Sequence, residues 1–278
     1  MKHRLILAVV VLSVSGSMSF GWGPEGHYIV ARIAEADLTP QTKAAVAELL
    51  GKESLTDVAC WADEIRKRDD YAWSRKLHVA TVAGDAPSFE MKRDCPDGCV
   101  VWAITNFTDA LERPGADRKE RIEALKFLVH FVGDIHQPIH VSSTRQLNGH
   151  RNKMEFFGEP ATLHLVWDAL LIRHTGKTPE AYANDLRRRI TAAQFAKWSA
   201  ETDPAVWANE SYDRAGRFVY VLPDDGKLRQ AYFDRCIPVV DERLSMAGVR
   251  LATRLNAIFD PKPATRSAVT SAPATLSR

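Results

Sequence analysis

The chain has 278 residues, of which 45% are hydrophobic and 26% charged, so it is long enough for one large domain with a substantial buried core. Its formal charge at neutral pH is only +2, without the basic surplus that nucleic-acid-binding chains often carry. Attraction for phosphate groups would therefore have to come from a local site, and bound metal ions could supply the charge there.

Residues 1–21 are typical of a secretory signal peptide. A basic start with Lys2 and Arg4 precedes the apolar run Leu5–Val14, and small residues follow up to Trp22. The run is too short to span a bilayer comfortably, so we expect cleavage before Trp22 rather than an uncleaved anchor. Loss of two of the 37 basic residues would leave 35 against 35 acidic ones. We expect the mature protein to be secreted or periplasmic, without a membrane contact.

Apolar spacing along the rest of the chain predicts one helix after another, and alternation typical of strands is scarce. Thr39 and Pro40 predict an N-cap and a first helical position for the stretch 44–50. The other predicted helical stretches are 28–38, 58–68, 100–111, 122–132, 161–174, 179–189, 204–221 and 227–259, the last of which could be interrupted. Residues 78–82 and 153–157 could be short extended segments.

These patterns predict an all-α protein with a single mainly helical domain over residues 22–260 and only short extended segments. Residues 261–278 are rich in Pro, Ala, Ser and Thr, and we expect them to form a disordered tail. We expect the protein to be a monomer.

Four cysteines would remain after export. Cys95 and Cys99 bracket a Pro-Asp-Gly turn and could form a disulfide or bind zinc. No second cysteine pair lies nearby, so we favour the disulfide. Cys60 and Cys236 could pair with each other or could both be free thiols.

Two His-x3-Asp pairs are the main candidates for chemistry. His130 and Asp134 lie four residues apart on a predicted helix, as do His164 and Asp168, so each pair shares a helix face. One such pair alone is more often a buried hydrogen bond. Two pairs, together with His140 after a chain-turning proline, favour zinc ligation. Five ligands are too many for one tetrahedral ion and predict at least two.

Two earlier segments offer further ligands. Asp63 and Arg66 lie on nearby turns of one predicted helix, and His78 follows fifteen residues after Asp63. His27 lies close to the predicted cleavage point before Trp22. Taken alone, Asp63 would be interpreted as a surface acid and His27 as a core or surface histidine.

Three further histidines are weaker candidates. His136 lies two residues after Asp134 and would face elsewhere on a helix, so we expect packing or support of a ligand rather than ligation. His150 and His174 have no clear partner, and His174 is expected at a helix end.

Together these segments resemble the zinc-dependent single-strand nucleases of the S1/P1 type, over residues 22–256. The matching motifs are Trp-Gly-x2-Gly-His at 22–27, Trp-Ala-Asp-x2-Arg at 61–66, His78, the run 124–140 ending in Asp-Ile-His-Gln-Pro-Ile-His, and Leu-His-x2-Trp-Asp at 163–168. Asn-Glu-Ser at 209–211, which is also a glycosylation sequon, and residues 238–256 look like the family as well.

The resemblance implies three zinc ions and nine ligand positions, all of which carry the expected residue types. They divide into Asp63, His78, His130 and Asp134 for the first ion; bridging Asp134, His27 and the α-amine and carbonyl of Trp22 for the second; and His140, His164 and Asp168 for the third. Cleavage before Trp22 would be required, because a peptide nitrogen has no usable lone pair.

The implied activity is hydrolysis of single-stranded DNA and RNA, and also of 3′-nucleotides, to 5′-phosphorylated products by attack of a zinc-activated hydroxide. Asp63 would orient or help deprotonate the water, and Arg66 would offset charge on the phosphate. A zinc phospholipase C, related in fold and metal cluster, is one alternative; the spacing from Trp22 to His27 and the acid Asp168 fit the nuclease pattern better. A non-catalytic exported zinc-binding protein is another, which the phosphate clamp of Arg66 argues against.

Two departures from the family pattern concern substrate contacts. Gln146 and His150 stand where the family commonly has an aspartate and an asparagine. Val79 and Thr81 stand where it often has an aromatic residue and an aspartate that contact a base. We therefore expect only weak preference for particular bases.

Overall fold

The computed structural model describes residues 22–145 and 154–261. Helices dominate these ranges and the strands are two or three residues long, which confirms the expected all-α fold. The predicted signal peptide, Gln146, His150 and nearly all of the predicted tail lie outside the described residues.

The described α-helices, in chain order, are α1 (Pro24–Asp37), α2 (Pro40–Leu50), α3 (Leu55–Val58), α4 (Trp61–Ile65), α5 (Met91–Asp94), α6 (Val100–Glu112), α7 (Arg118–His136), α8 (Leu163–Leu165), α9 (Leu171–His174), α10 (Pro179–Arg189), α11 (Ala192–Ala200), α12 (Pro204–Arg214) and α13 (Gln230–Phe259). Tighter 3-10 turns form Asp69–His78 and Pro138–His140, and wider π turns form Val166–Leu170 and Ala215–Val219.

The central helix of the site is α7. The side chain of Asp117 accepts from the backbone N–H groups of Lys119 and Glu120 and caps its first turn. Every residue from Phe127 to His136 is buried. Because α6, α12 and α13 pack around α7, polar side chains on its last turns lie inside the protein. A polar cluster there must satisfy its own hydrogen-bonding needs.

The longest helix, α13, packs along α1. They approach closely at Gly248, where an added Cβ would overlap the side chain of Ile33. The contact packs α1, at Val30 and Ile33, against α13. No helix in the described ranges has the length and apolar character needed to cross a membrane.

Five short strands complete the fold: β1 (Ala80–Val82), β2 (Val141–Ser143), β3 (Met154–Phe156), β4 (Glu159–Ala161) and β5 (Lys227–Leu228). β1 and β2 are parallel, with Ala80 opposite Val141. His78, two residues before β1, and His140, directly before β2, are therefore neighbours. β3 pairs with β4 antiparallel and with β5 parallel.

Some element boundaries differ from the expectation. The predicted helix over 58–68 is shorter in the structure: α3 ends at Val58 and α4 covers Trp61–Ile65, and between them the carbonyl of Ala59 accepts from His130 Nδ1 instead of continuing a helical ladder. The predicted stretch 227–259 begins with the strand β5, because Glu155 and Phe156 of β3 pair with it. Helix α11, which a Thr191–Gln194 capping box starts, has no counterpart among the predicted helices.

Cys95 and Cys99 form a disulfide, as the sequence favoured. Cys60 is half-buried and Cys236 is buried, and both carry free thiols. Of the two alternatives for Cys60 and Cys236, the structure therefore has the unpaired one.

Candidate metal centre

His130 and Asp134 lie side by side on the buried face of α7, as their four-residue spacing predicts. His130 Nε2 is 3.2 Å from Asp134 Oδ2, and neither residue has exposed surface. His130 Nδ1 is 2.7 Å from the Ala59 carbonyl, so Nδ1 carries a proton and donates, and Nε2 is the nitrogen that faces Asp134.

Asp134 is the hub of the site, because imidazoles from three other parts of the chain approach its carboxylate. His78 Nδ1, at the end of a 3-10 turn, lies 2.9 Å from Oδ2. His27 Nε2 of α1 lies 3.4 Å from Oδ1, and His140 Nδ1 lies 3.6 Å from the same oxygen. One carboxylate with separate groups on its two oxygens is suited to bridging two ions.

Helix α4 brings Asp63 to the same place. Asp63 Oδ1 lies 3.7 Å from both His78 Nδ1 and His130 Nε2. Its partner on the next turn, Arg66, places a guanidinium nitrogen 2.9 Å from Oδ1. Arg66 is itself buried, so the predicted Asp63–Arg66 pairing exists and lies beside the histidine cluster.

The start of α1 adds Trp22 and His27. Both are buried, and the His27 ring stacks on His130 with centroids 3.8 Å apart. The Cβ position at Gly133 lies 2.8 Å from His27 Nδ1 and 3.9 Å from Trp22 Cδ1. Trp22 therefore lies near His27 and near Gly133, the residue that precedes Asp134 in the chain.

A further group lies on the other side of Asp134. His140 Nε2 is 3.4 Å from His164 Nε2 and 3.9 Å from Asp168 Oδ1. Asp168 lies in the π turn Val166–Leu170 rather than in the regular helix that its spacing from His164 suggests. Such turns are rare in proteins, and many of those that occur lie at functional sites.

One buried residue, Gln137, supports this group without belonging to the predicted set. The Gln137 amide donates to Asp168 Oδ1 at 2.6 Å, and its own Oε1 accepts from the Ile139 backbone N–H at 2.7 Å. Gln137 therefore ties the carboxylate to the turn that carries His140. His140 Nδ1 is 3.0 Å from the His78 carbonyl.

The ligand atoms fall into three groups, each with all its atoms within 4.8 Å of one another, and the first two groups share His130. The groups are His27, Asp63 and His130; His78, His130 and Asp134; and His140, His164 and Asp168.

These groups meet the chemical test for a metal centre. Several buried atoms have no hydrogen-bond partner among the described residues, namely His27 Nδ1 and Nε2, His78 Nε2 and Asp134 Oδ1. Leaving buried polar atoms unsatisfied costs about 1–3 kcal/mol each, which a bound cation would remove. Imidazole and carboxylate donors in groups of three or four suit zinc.

Burial keeps three of the candidate histidine ligands neutral. Burial lowers the pKa of His78 to about 4 and that of His140 to about 3, and it also lowers the pKa of His27. These imidazoles stay neutral at ordinary pH, as metal ligands must be. Burial also lowers the pKa of His130, but the charges of Asp134 and Asp63 outweigh it and raise that pKa to about 9.

The two carboxylates behave differently. Burial acts to raise the pKa of Asp134, but the imidazoles of His130, His27 and His78 together hold it well below its usual value. Burial, with the charge of Asp134, raises the pKa of Asp168 well above its usual value. A cation bound at the third group would reverse that shift.

The remaining predicted histidines lie away from the ligand groups. His136 is buried and faces α12 and α13, as its position two residues after Asp134 predicts. His174 ends α9 and its ring stacks on Phe157 at 3.8 Å. The sequence did not indicate the roles of Gln137 and Gly133, although both lie inside the histidine-rich run 124–140.

The sequence of this chain is similar to those of several known proteins. The profile of the family described as S1/P1 Nuclease matches residues 22–260. The chain is 34% identical to Endonuclease 3 of Arabidopsis thaliana, covering 92% of this chain and 95% of that protein. It is 30% identical to Nuclease S1 of Aspergillus oryzae (93% and 98% covered) and 29% identical to Nuclease P1 of Penicillium citrinum (85% and 97%). The chain belongs to the S1/P1 nuclease family and is a nuclease, a hydrolase of phosphodiester bonds.

Proposed function

We propose that this chain is an exported trinuclear zinc nuclease that hydrolyses single-stranded DNA and RNA, and also 3′-nucleotides, to 5′-phosphorylated products. The observation that carries the proposal is the set of three His/Asp groups near Asp134, which together offer ligands for more than one ion. The family name and the names of its relatives support nucleic acid as the substrate.

The ligand assignment follows the resemblance, and the contacts of Asp134 with His27, His78 and His130 support it. The first ion would be held by Asp63, His78, His130 and Asp134, the second by Asp134, His27 and Trp22, and the third by His140, His164 and Asp168. When bound, zinc ions would lower the pKa of water toward neutrality and offset charge on phosphate oxygens.

The side chains around the ions have separate tasks. Asp63 retains some exposure, with 14% of its side chain accessible, so it is placed to accept a proton from an attacking water. Arg66 holds Asp63 at 2.9 Å and offers further guanidinium N–H groups to the non-bridging oxygens of a phosphate, which gain charge in the transition state. Gln137 keeps Asp168 in position by its 2.6 Å hydrogen bond.

Export and processing belong to the same proposal. Trp22 lies beside His27 with no exposed surface. Cleavage before Trp22 would free an α-amine at that buried position, where amine and carbonyl together could chelate an ion. We propose that residues 22–260 form the catalytic domain and that the protein is secreted or periplasmic and acts as a monomer.

One purification tests these statements together. The intact mass of the exported protein would give the amino terminus, and its zinc content would count the ions. Hydrolysis is then compared on single-stranded DNA, duplex DNA of the same sequence and phosphatidylcholine vesicles. We expect three zinc ions, a terminus at Trp22 and cleavage of single strands. Lipid hydrolysis without DNA cleavage would instead support the phospholipase alternative, and zinc binding without any turnover would support a storage protein.

A further inference from the structure

The end of α7 lies inside the protein. The helix ends at His136, and the chain continues in an extended conformation at Gln137. The last four carbonyl groups of a helix have no partner within it, so a buried helix end needs partners from elsewhere. The end of α7 also carries Asp134 and leads directly into the turn that carries His140, so its orientation affects two of the three ligand groups.

Helices α12 and α13 supply the missing partners. Ser211 Oγ donates to the Ile135 carbonyl at 2.5 Å, and Arg243 Nε donates to the His136 carbonyl at 3.2 Å. Arg243 also donates to Ser211 Oγ at 2.8 Å. This hydrogen bond fixes the two donors, Ser211 and Arg243, relative to each other.

Glu210 holds this arrangement together. Its Oε2 accepts from Arg243 at 3.0 Å and from Arg250 at 2.6 Å, and its Oε1 accepts from Arg250 at 2.9 Å. Arg243 and Arg250 lie two turns apart on one face of α13 and are 1% and 2% exposed. Removing a buried arginine's partner is strongly destabilising, so Glu210 is required for both to stay in place.

His136 closes the network at the helix itself. Arg250 donates to His136 Nε2 at 3.0 Å, so the proton of this imidazole is on Nδ1, which donates to the Val132 carbonyl at 2.8 Å. This explains why a histidine inside the ligand motif is not a ligand. We call Glu210, Ser211, Arg243, Arg250 and His136 the Glu210 network.

The net positive charge of the Glu210 network suits its position at the C-terminus of α7. A helix C-terminus has partial negative charge, which disfavours a carboxylate such as Asp134 in the last turn. Two guanidinium groups lie at this end of α7, on the face away from the ligand groups, and one carboxylate, Glu210, compensates only part of their charge. The local excess of positive charge offsets the helix dipole.

We propose that the Glu210 network is a positioning device for the metal centre: it fixes the end of α7 so that Asp134 and His140 reach their ligand positions. The inference rests on the proposed zinc site and goes beyond it by assigning a role to residues that contact no ligand atom. Loss of outer partners of metal ligands typically costs about 10–100-fold in metal affinity.

The test compares two isosteric substitutions at the same pair of helices. Glu210→Gln removes the charge that holds Arg243 and Arg250. The matched control is Glu242→Gln, because the carboxylate of Glu242 of α13 accepts hydrogen bonds from Arg214 of α12, at 3.0 Å, rather than from Arg243 or Arg250. For each folded, zinc-loaded protein, the rate of zinc loss to a chelator is followed with a zinc-sensitive dye. We expect at least about a tenfold faster loss from E210Q than from E242Q.

Each outcome below contradicts either the positioning role or the proposed function. Equal rates of zinc loss from folded E210Q and E242Q would overturn the positioning role. If E210Q does not fold, Ser211→Ala replaces it, with Ser199→Ala as control, since Ser199 Oγ donates to a carbonyl only within the exposed helix α11; equal zinc loss from these two would likewise overturn the role. A wild-type protein that binds no zinc and cleaves no single strand would instead refute the proposed function, which separates the two failures.

Discussion

Gly133 allows His27 to approach α7, since a Cβ at Gly133 would lie only 2.8 Å from His27 Nδ1. The glycine lies within the last turn of α7 rather than after its end, where a helix-terminating glycine would be, so close packing is the physical reason for its presence. We predict that Gly133→Ala displaces His27 from Asp134, reduces bound zinc by about one ion and lowers nuclease activity, as measured by metal analysis and an assay on single-stranded DNA.

The control for this substitution is Gly248→Ala. Gly248 is also a buried helical glycine, and an added Cβ there would overlap Ile33 rather than a candidate ligand. We expect G248A to lower the melting temperature while the folded fraction keeps its zinc. If G133A retained the full zinc content of the wild type, His27 would not depend on this close approach.

Arg66 provides a second prediction. Its guanidinium lies 2.9 Å from Asp63 beside the candidate ligands, and a lysine there would lose the paired N–H geometry that suits phosphate. We predict that Arg66→Lys lowers kcat by about 10²-fold, the usual effect of losing one transition-state donor, while zinc content stays the same. Arg68→Lys, at an exposed residue paired with Asp70, should leave kcat unchanged. An undiminished kcat in R66K would remove Arg66 from the mechanism.

Local signals predicted much of this site. The four-residue spacing of His130 and Asp134 needs only a regular helix to bring their side chains together, and α7 is regular to its end. The cap at Thr39, whose side chain accepts from the Thr42 N–H, is equally local. Such features depend on residues within one or two turns, which the sequence displays directly.

Other features depend on distant partners and escaped the sequence. Between α3 and α4, the Ala59 carbonyl accepts from His130, 71 residues away. The π turn at Asp168 follows residues whose apolar spacing also suits a regular helix. The hydrogen bonds of Glu210 to Arg243 and Arg250 join residues 33 and 40 positions apart, so no local pattern indicates them.

The third ligand group predicts how stability depends on pH once zinc is removed. Burial lowers the pKa of His140 to about 3 and of His164 to about 4, whereas an unfolded imidazole titrates near about 6.5. Below about pH 6.5 the unfolded chain therefore binds protons that the folded chain does not. The contribution of these neutral imidazoles is complete above that pH and is lost as the pH falls toward 4.

We therefore expect the melting temperature of chelator-treated protein to fall between pH 7 and pH 4. The fall should be shallower in His164→Gln, which removes one of the groups with a lowered pKa. His174→Gln, at an exposed histidine outside the ligand groups, should follow the wild type. His130 acts in the opposite sense, since with a folded pKa of about 9 its contribution is lost as the pH rises through 9. Parallel curves for wild type and H164Q would contradict the prediction.

The last prediction is that the side chain at position 79 affects the KM for single-stranded DNA. Val79 is half-buried, follows His78 directly and has its backbone held by the Val100 N–H at 3.1 Å, yet it has no aromatic ring to offer a base. Stacking a base on an aromatic side chain contributes about 1–3 kcal/mol. We predict that Val79→Phe lowers KM for single-stranded DNA about tenfold, with little change in kcat, because the added contact is made equally in the ground and transition states. Val206→Phe, which places the same ring at an exposed position of α12, should leave KM unaltered. If both variants lowered KM alike, the effect would come from general hydrophobicity, and position 79 would have no special access to the base.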